Sequence, residues 1–140
     1  VLFRSNLPPV DGDSAQLRQV IHNLLQNASD ACAENDTPRV EVRTELVTSP
    51  QDDDSKVIGV KLTVADNGPG FKADVLARAF EPYVTTKAKG TGLGLAIVRK
   101  IVDEHGARIA VRNRTNPEGH VRGAAVEITF PVGKQAPASD

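Results

Sequence analysis

The most informative segment of the sequence is KAKGTGLGLAIVRKIVDEHG, residues 87 to 106. It places Gly90, Gly92 and Gly94 at the entrance of a segment whose apolar residues recur at helical spacing. Glycine is a poor helix former, so a helix that begins with three glycines needs a physical reason. Bare backbone N–H groups at a helix N-terminus bind phosphate, because they lie at the positive end of the helix dipole. The stretch predicts a helix over 92–105 that holds a triphosphate at its start.

The spacing of these glycines excludes two common nucleotide-binding motifs. The pattern is G-x-G-x-G instead of the G-x-G-x-x-G of a dinucleotide fold, and it follows a loop instead of a strand. A P-loop is also excluded, because the sequence contains no G-x-x-x-x-G-K-[ST] motif.

The composition is typical of one soluble globular domain, with 140 residues of which 39% are hydrophobic and 25% charged. A net charge of -1 provides no basic field, so we expect no nucleic-acid partner. Cys32 is the single cysteine, which excludes an internal disulfide and a thiolate zinc cluster. No apolar run reaches the roughly 18 residues of a membrane helix, so we expect no membrane contact by this chain. The chain lacks an initiating Met, and we expect it to be a piece of a longer protein.

Helices and strands are mixed without regular βαβ alternation. Asp13 is predicted to cap a helix over 14–34. The other predicted elements are a short strand within 1–10, strands over 39–47, 57–65, 108–113 and 124–131, and a short helix over 73–80. We therefore predict an α+β fold, a two-layer α/β sandwich with a mixed, mostly antiparallel sheet and helices on one face. It would form one domain over 1–132, followed by a disordered tail over 133–140.

A stripe of polar residues, Asn23, Asn27 and Asp30, lies along the first predicted helix at i, i+4 and i+7. Asparagine is a mediocre helix former, so two of them one turn apart need a reason. One explanation is a solvated face. The other is an amide oxygen that binds Mg²⁺, which takes few protein ligands when phosphates supply the rest. The residues alone leave both open.

A carboxylate, Asp66, ends the second of these strands, and the chain then turns through Gly68 and Gly70 in DNGPGF. A plain turn would explain Asn67-Gly68. A carboxylate there can also accept a hydrogen bond from the exocyclic amine of adenine, whereas guanine presents an oxygen at that place. Two facing acceptors would leave a buried group unpaired, at a cost of about 1–3 kcal/mol. Asp66 is thus predicted to select ATP over GTP.

Taken in order, these elements resemble the ATP-binding catalytic domain of sensor histidine kinases, within the gyrase, chaperone, kinase and mismatch-repair ATPase superfamily. HNLLQNASDA resembles the N box, DNGPGF the first glycine box, FEPYVTTK the F box and GTGLGLAIV the second glycine box. The resemblance covers about residues 10 to 131 and is greatest to nitrogen-regulation (NtrY/NtrB-like) kinases. It implies a Bergerat-type fold.

The resemblance implies a role for each matched residue. Asn27 would ligate Mg²⁺, and Asp66 would bind the adenine amine of ATP, with Gly68 and Gly70 beside the base and ribose. Residues 71–89 would form a lid over the nucleotide. The remaining residues of the implied nucleotide site are Asn23, Asp30, Thr86, Lys87, Gly90, Thr91, Gly92, Leu93 and Gly94.

Two of these positions, Asn23 and Lys87, are assigned to catalysis. Lys87 would contact the γ-phosphate, with a solvated loop lysine as the alternative. Asn23 stands where ATP-hydrolysing relatives carry a glutamate that acts as general base. An amide cannot take a proton from water at neutral pH, so we expect weak hydrolysis by this chain alone.

Several residues depart from the family or from its acceptor motif. Ala124 stands where many superfamily members have Thr, and we expect weaker nucleotide affinity from it. The three histidines do not match the acceptor motif and are expected to be structural or solvated: His22, His105 and His120.

The resemblance implies a domain that donates the γ-phosphoryl group of MgATP to a histidine on a separate dimerisation domain, upstream of a response regulator. We expect a cytoplasmic monomer, whether or not the parent protein is anchored in the inner membrane. Two alternatives remain: a nucleotide-responsive binding module without transfer activity, and a stand-alone ATPase or serine kinase.

Overall fold

The structure, a computed structural model, describes residues 12–48, 57–78 and 94–131. The elements are α1 (Ser14–Ala31), β1 (Val40–Thr48), β2 (Val57–Asp66), α2 (Ala73–Ala77), α3 (Gly94–Glu104), β3 (Arg108–Thr115) and β4 (Val121–Pro131). The predicted strand within 1–10, the F box over 80–87 and the tail over 133–140 lie outside the described residues.

Helix α1 begins as its sequence predicts. The Asp13 side chain accepts a hydrogen bond from the Gln16 backbone N–H at 3.0 Å, which caps the helix. Val20, Leu24 and Ala28 then recur every four residues and are buried. The predicted end at residue 34 is wrong: the helix ends at Ala31, because the following backbone hydrogen bonds span three residues and tighten the chain into a turn.

The sheet has the strand order β1-β2-β4-β3, and all three neighbouring pairs are antiparallel. Val42, Val64, Val126 and Val111 lie opposite one another across it and share one face. Helices α1 and α3 pack on this face, where the core side chains are fully buried; they include Leu24, Val98, Val102 and Ile128. The predicted α+β sandwich with helices on one face is confirmed.

Several predicted boundaries are wrong. Strand β4 begins at Val121, three residues before the predicted start, because Gly123 at φ 143° lets the strand continue through an irregularity opposite β3. Strand β3 continues for two residues past its predicted end, to Thr115. Helix α2 ends at Ala77, since it buries no residue and has no side-chain cap. Helix α3 is described from Gly94 and ends at Glu104, just before Gly106 at φ 66°.

One histidine, His105, has a structural role. Its Nε2 accepts a hydrogen bond from the Asp13 backbone N–H at 3.0 Å, so Nδ1 carries the proton and donates to the Ile101 carbonyl at 2.8 Å. This ring ties the start of α1 to the end of α3. His22 and His120 are exposed. In the described part of the chain, no helix combines the length and the apolar character that crossing a membrane requires.

Candidate functional site

The centre of the candidate site is Asp66, at the end of β2. It is the one charged side chain in the described residues that is buried, with 6% of its surface exposed. Oδ1 accepts a hydrogen bond from the Gly68 backbone N–H at 2.9 Å, and the Ala124 backbone N–H also donates to this carboxylate. A carboxylate can accept about four hydrogen bonds, so capacity remains for a donor on a ligand.

Burial raises the pKa of Asp66 above its usual 3.8, against the opposing effect of the Gly68 and Ala124 hydrogen bonds and of the Arg114 charge. Burial therefore disfavours the charged form of this carboxylate, whereas the neighbouring N–H groups stabilise it by donating hydrogen bonds. Such a buried carboxylate is suited to a neutral donor such as an exocyclic amine.

The loop after Asp66 contacts the end of helix α1. A Cβ at Gly68 would overlap the backbone carbonyl of Ala31, the last residue of the helix. The Asn35 side chain, just beyond the helix, donates to the Asn67 carbonyl at 2.8 Å. The first glycine box and the N-box helix, far apart in sequence, are thus brought together.

The next glycine of the loop, Gly70, adopts φ 79°, which favours glycine. A Cβ there would come within 2.5 Å of Val121 Cγ1. The protein's own packing therefore requires glycine at both Gly68 and Gly70. Their predicted place beside the base and ribose stays a prediction.

The polar stripe of α1 lies on the helix that meets this loop. Asn23 and Asn27 are half-buried, whereas Asp30 is exposed and accepts a hydrogen bond from Gln26 Nε2 at 3.0 Å. Within the three described ranges, no three His, Cys, Asp or Glu side chains form a group that could hold a metal ion. A magnesium ion at Asn27 would thus take an amide oxygen from the protein and further oxygens from phosphate, a donor set that suits this hard cation.

The phosphate-binding half of the predicted site falls largely outside the described residues. This applies to Thr86, Lys87, Gly90, Thr91, Gly92 and Leu93, and to the predicted lid beyond residue 78. Gly94 is described only as the first residue of α3. The roles of these residues stay predictions.

Sequence reasoning missed the roles of three side chains that hold the loop. Arg114 donates from Nη1 to the Asp66 backbone carbonyl at 3.0 Å. Asn67 bonds the backbone of Thr37 and Arg39, at 2.8 and 2.9 Å. The Asn113 side chain bonds both the N–H and the carbonyl of Phe71. Of these three residues, only Asn113 could have been singled out from the sequence, because it is a polar residue that interrupts the apolar face of a strand.

A polar cleft of about 330 Å³ lies beside Asn67, lined by Arg39, Glu41, Asn67, Arg114, Thr115 and Arg122. Among the described residues that are predicted to bind the nucleotide, none lines this cleft.

A model of the family described as histidine kinase-, DNA gyrase B- and HSP90-like ATPase matches residues 12–134. The chain belongs to this family. The matched range contains the buried Asp66 and the asparagines of α1. The family and the fold predicted from the four boxes are confirmed, and so, at the level of the family, is the use of ATP.

Two curated relatives are sensor histidine kinases of the NtrB and NtrY-like kinds. The chain is 41% identical over 113 residues to the sensory histidine kinase/phosphatase NtrB of Rhodobacter capsulatus, which covers 79% of the chain and 32% of NtrB. It is 38% identical over 130 residues to an NtrY-like sensor histidine kinase of Rickettsia conorii, covering 91% of the chain and 19% of the relative. The chain thus spans a third or less of these relatives.

Solved histidine kinase structures share the fold. The mycobacterial sensor histidine kinase MprB superposes with a TM-score of 0.71 at 30% identity, covering 87% of this chain and 76% of that one. Full-length ShkA in complex with AMPPNP superposes with a TM-score of 0.68 at 30% identity, and the match covers 89% of this chain and 23% of ShkA. Histidine kinase ThkA in complex with the response regulator TrrA superposes with a TM-score of 0.64 at 30% identity, and the match covers 87% of this chain and 30% of that one.

Proposed function

We propose that this chain is the phosphoryl-donor domain of a sensor histidine kinase. It binds MgATP and gives the γ-phosphoryl group to a histidine on a separate dimerisation domain, from which the group passes to a response regulator. The AMPPNP in ShkA and the response regulator on ThkA support the nucleotide and the partner. A cytoplasmic location, where ATP is available, accords with this function.

The observation that carries the proposal is the buried Asp66 beside the N-box helix. Its carboxylate keeps acceptor capacity after binding two backbone N–H groups, and the half-buried Asn27 lies on the helix that meets the same loop. Adenine would donate its exocyclic amine to Asp66. The phosphates would extend toward α1, where the Asn27 amide oxygen would ligate Mg²⁺.

The other predicted residues would act on the phosphates. Bare N–H groups at Gly90, Gly92 and Gly94 would hold phosphate oxygens at the start of α3, and Lys87 would neutralise charge on the γ-phosphate. Thr86, Thr91 and Leu93 would line the nucleotide, with Asn23 and Asp30 near the phosphates. Mg²⁺, when bound, supplies charge neutralisation for phosphoryl transfer.

The transfer breaks the bond between the γ-phosphorus and the oxygen that bridges to the β-phosphate, and ADP leaves. A phosphorus–nitrogen bond forms to the acceptor imidazole, whose proton goes to a base on the acceptor domain. Such transfer depends on positioning and charge stabilisation more than on covalent help from the donor domain. A donor with an amide at Asn23 is sufficient for this role, since the base is supplied elsewhere.

The experiment mixes this chain, Mg²⁺ and ATP labelled at the γ-phosphate with a histidine-bearing dimerisation domain from a similar kinase. We expect label on that domain that is stable to base and labile to acid, as phosphohistidine is. An acceptor domain with its histidine replaced by alanine is the control and should stay unlabelled. Absence of phosphohistidine with both pieces folded would overturn the proposal.

Phosphate release by the chain alone distinguishes a stand-alone ATPase. The amide of Asn23 cannot act as a general base, a role that contributes about 10²–10⁴-fold in enzymes that have one. We therefore expect little phosphate release without the acceptor domain. Appreciable turnover by the isolated chain would favour the ATPase.

A further inference from the structure

Two consecutive residues of β3 hold the loop 66–71 at its two ends. At its start, Arg114 Nη1 donates to the Asp66 carbonyl at 3.0 Å. At its end, Asn113 Oδ1 accepts from the Phe71 N–H at 2.8 Å, and Asn113 Nδ2 donates to the Phe71 carbonyl at 2.9 Å. Because neighbouring residues of a strand point to opposite faces, the two side chains reach the loop from opposite sides of the sheet.

The contact of Asn113 with Phe71 is a two-point attachment. Its amide makes the pair of hydrogen bonds that an adjacent strand would make to the same backbone. The site is partly buried, so truncation would leave a backbone donor and acceptor without their partner. The loop is crowded there as well, since a Cβ at Gly70 would lie 2.9 Å from Asn113 Oδ1.

The contact of Arg114 fixes the peptide that follows the Asp66 side chain. Arg114 lies opposite Gly123 in the β3–β4 register, and Gly123 itself packs against the Asp66 carbonyl. Arg112, two residues back on the same strand, instead makes an ion pair with Glu127 at 3.2 Å on exposed surface. The backbone carbonyl of Asp66 is thus held by Arg114 of β3 and packed by Gly123 of β4.

We propose that Asn113 and Arg114 are positioning residues for adenine recognition: they fix both ends of the loop 66–71, so that the Asp66 carboxylate is presented to the base. The inference rests on the proposed function and deepens it. Neither residue is assigned contact with the nucleotide; both act through the loop.

The test uses two variants of the 140-residue chain, each with a matched control. Asn113→Ala is paired with Asn116→Ala, because the Asn116 side chain also bonds a backbone N–H of the same hairpin, that of His120 at 2.9 Å, away from the loop. Arg114→Gln is paired with Arg112→Gln, which removes the same charge from the same strand. Each protein is checked by its unfolding temperature before binding is measured.

The measurements are the Kd of the Mg²⁺ complexes of AMPPNP and of its guanine counterpart, and the exchange rate of the Phe71 amide proton. We expect both loop variants to weaken AMPPNP about tenfold, the equivalent of one net hydrogen bond. The guanine analogue should keep its Kd, since it never made the contact to Asp66. Asn113→Ala should also speed exchange at Phe71, whereas both controls should leave all three quantities unchanged.

Equal weakening of both analogues by the loop variants, or no weakening, would overturn the inference and leave these residues a structural role alone. If the unaltered chain binds neither analogue, the proposed function fails. The exchange rate of the Phe71 amide proton then tests the attachment of the loop to Asn113 on its own. Faster exchange at Phe71 in Asn113→Ala but not in Asn116→Ala supports the attachment, and equal exchange contradicts it. If Asn113→Ala does not fold, Asn113→Asp replaces it, because it keeps the acceptor and should bind AMPPNP with intermediate affinity.

Discussion

The backbone of Gly123 in β4 lies directly against the backbone carbonyl of Asp66 in β2, and a Cβ at Gly123 would overlap that oxygen. Gly123 also adopts φ 143°, a conformation that residues with a side chain rarely adopt. This close approach brings the next residue, Ala124, near enough for its N–H to donate to the Asp66 carboxylate. The geometry of the buried carboxylate therefore depends on a glycine 57 residues away.

Replacing this glycine should cost stability through both clash and strain. We expect Gly123→Ala to lower the free energy of unfolding by about 2–4 kcal/mol. The matched control is Gly119→Ala, at φ 87° with nothing within 4 Å of the added Cβ, where we expect a loss of about 1 kcal/mol from strain alone. Urea denaturation measures the free energy of unfolding of both variants. Equal losses would show that the contact with Asp66 carries no penalty.

Neutralising Asp66 should stabilise the fold while harming recognition. Its pKa is raised in the folded state, even with both backbone hydrogen bonds and Arg114 counted, so the folded state binds the proton more tightly than the unfolded state. Stability then falls as pH rises from the ordinary value through the raised one. We expect Asp66→Asn to be more stable than the unaltered chain at neutral pH, with the difference vanishing in acid. Denaturation across pH tests this, with Asp36→Asn, at an exposed aspartate, as the control for removal of one carboxylate.

Nucleotide binding should depend on pH in the opposite sense. The ionised carboxylate is the stronger acceptor for the adenine amine, so AMPPNP affinity should decline as pH falls through the raised pKa of Asp66. The decline should begin above the pH at which an ordinary aspartate is protonated. Calorimetry at a series of pH values measures it, and Asp66→Asn provides the baseline for ionisation of the nucleotide itself. Parallel pH profiles for the two proteins would contradict the prediction.

The magnesium ligand is tested at Asn27. We expect Asn27→Ala to weaken binding of AMPPNP by about tenfold when Mg²⁺ is present, an effect of the size seen for groups around metal sites. Without Mg²⁺, its affinity should match that of the unaltered chain. Gln19→Ala, an exposed substitution on the same helix, is the control and should leave both values unchanged. A loss of the same size with and without Mg²⁺ would show that Asn27 does not act through the metal.

The parts of the fold that depend on local sequence were predictable. The Asp13 cap and the four-residue spacing of Val20, Leu24 and Ala28 identify α1, and alternating residues identify the strands. These signals act within one or two turns of chain. Where the signal was weak, as at the ends of α1 and α2, the boundaries were wrong by three residues.

The contacts that shape the site could not be predicted, because they depend on the register of strands distant in sequence. Asn113 and Phe71 are 42 residues apart, and the loop reaches Asn113 only because β3 pairs with β4 in one particular register. Gly68 and Gly70 illustrate the same limit. The resemblance implies a place for them beside the base and ribose, which stays a prediction, but it did not indicate their neighbours in the chain itself, Ala31 and Val121.

Asp66 is predicted to discriminate adenine from guanine in a magnesium nucleotide. Titration calorimetry of the 140-residue chain with AMPPNP and with its guanine counterpart, both with Mg²⁺, measures this discrimination in one experiment. We predict saturable binding of AMPPNP and at least about tenfold weaker binding of the guanine analogue, since an unpaired buried acceptor costs about 1–3 kcal/mol. No heat with AMPPNP, or equal affinity for the two, would contradict the account.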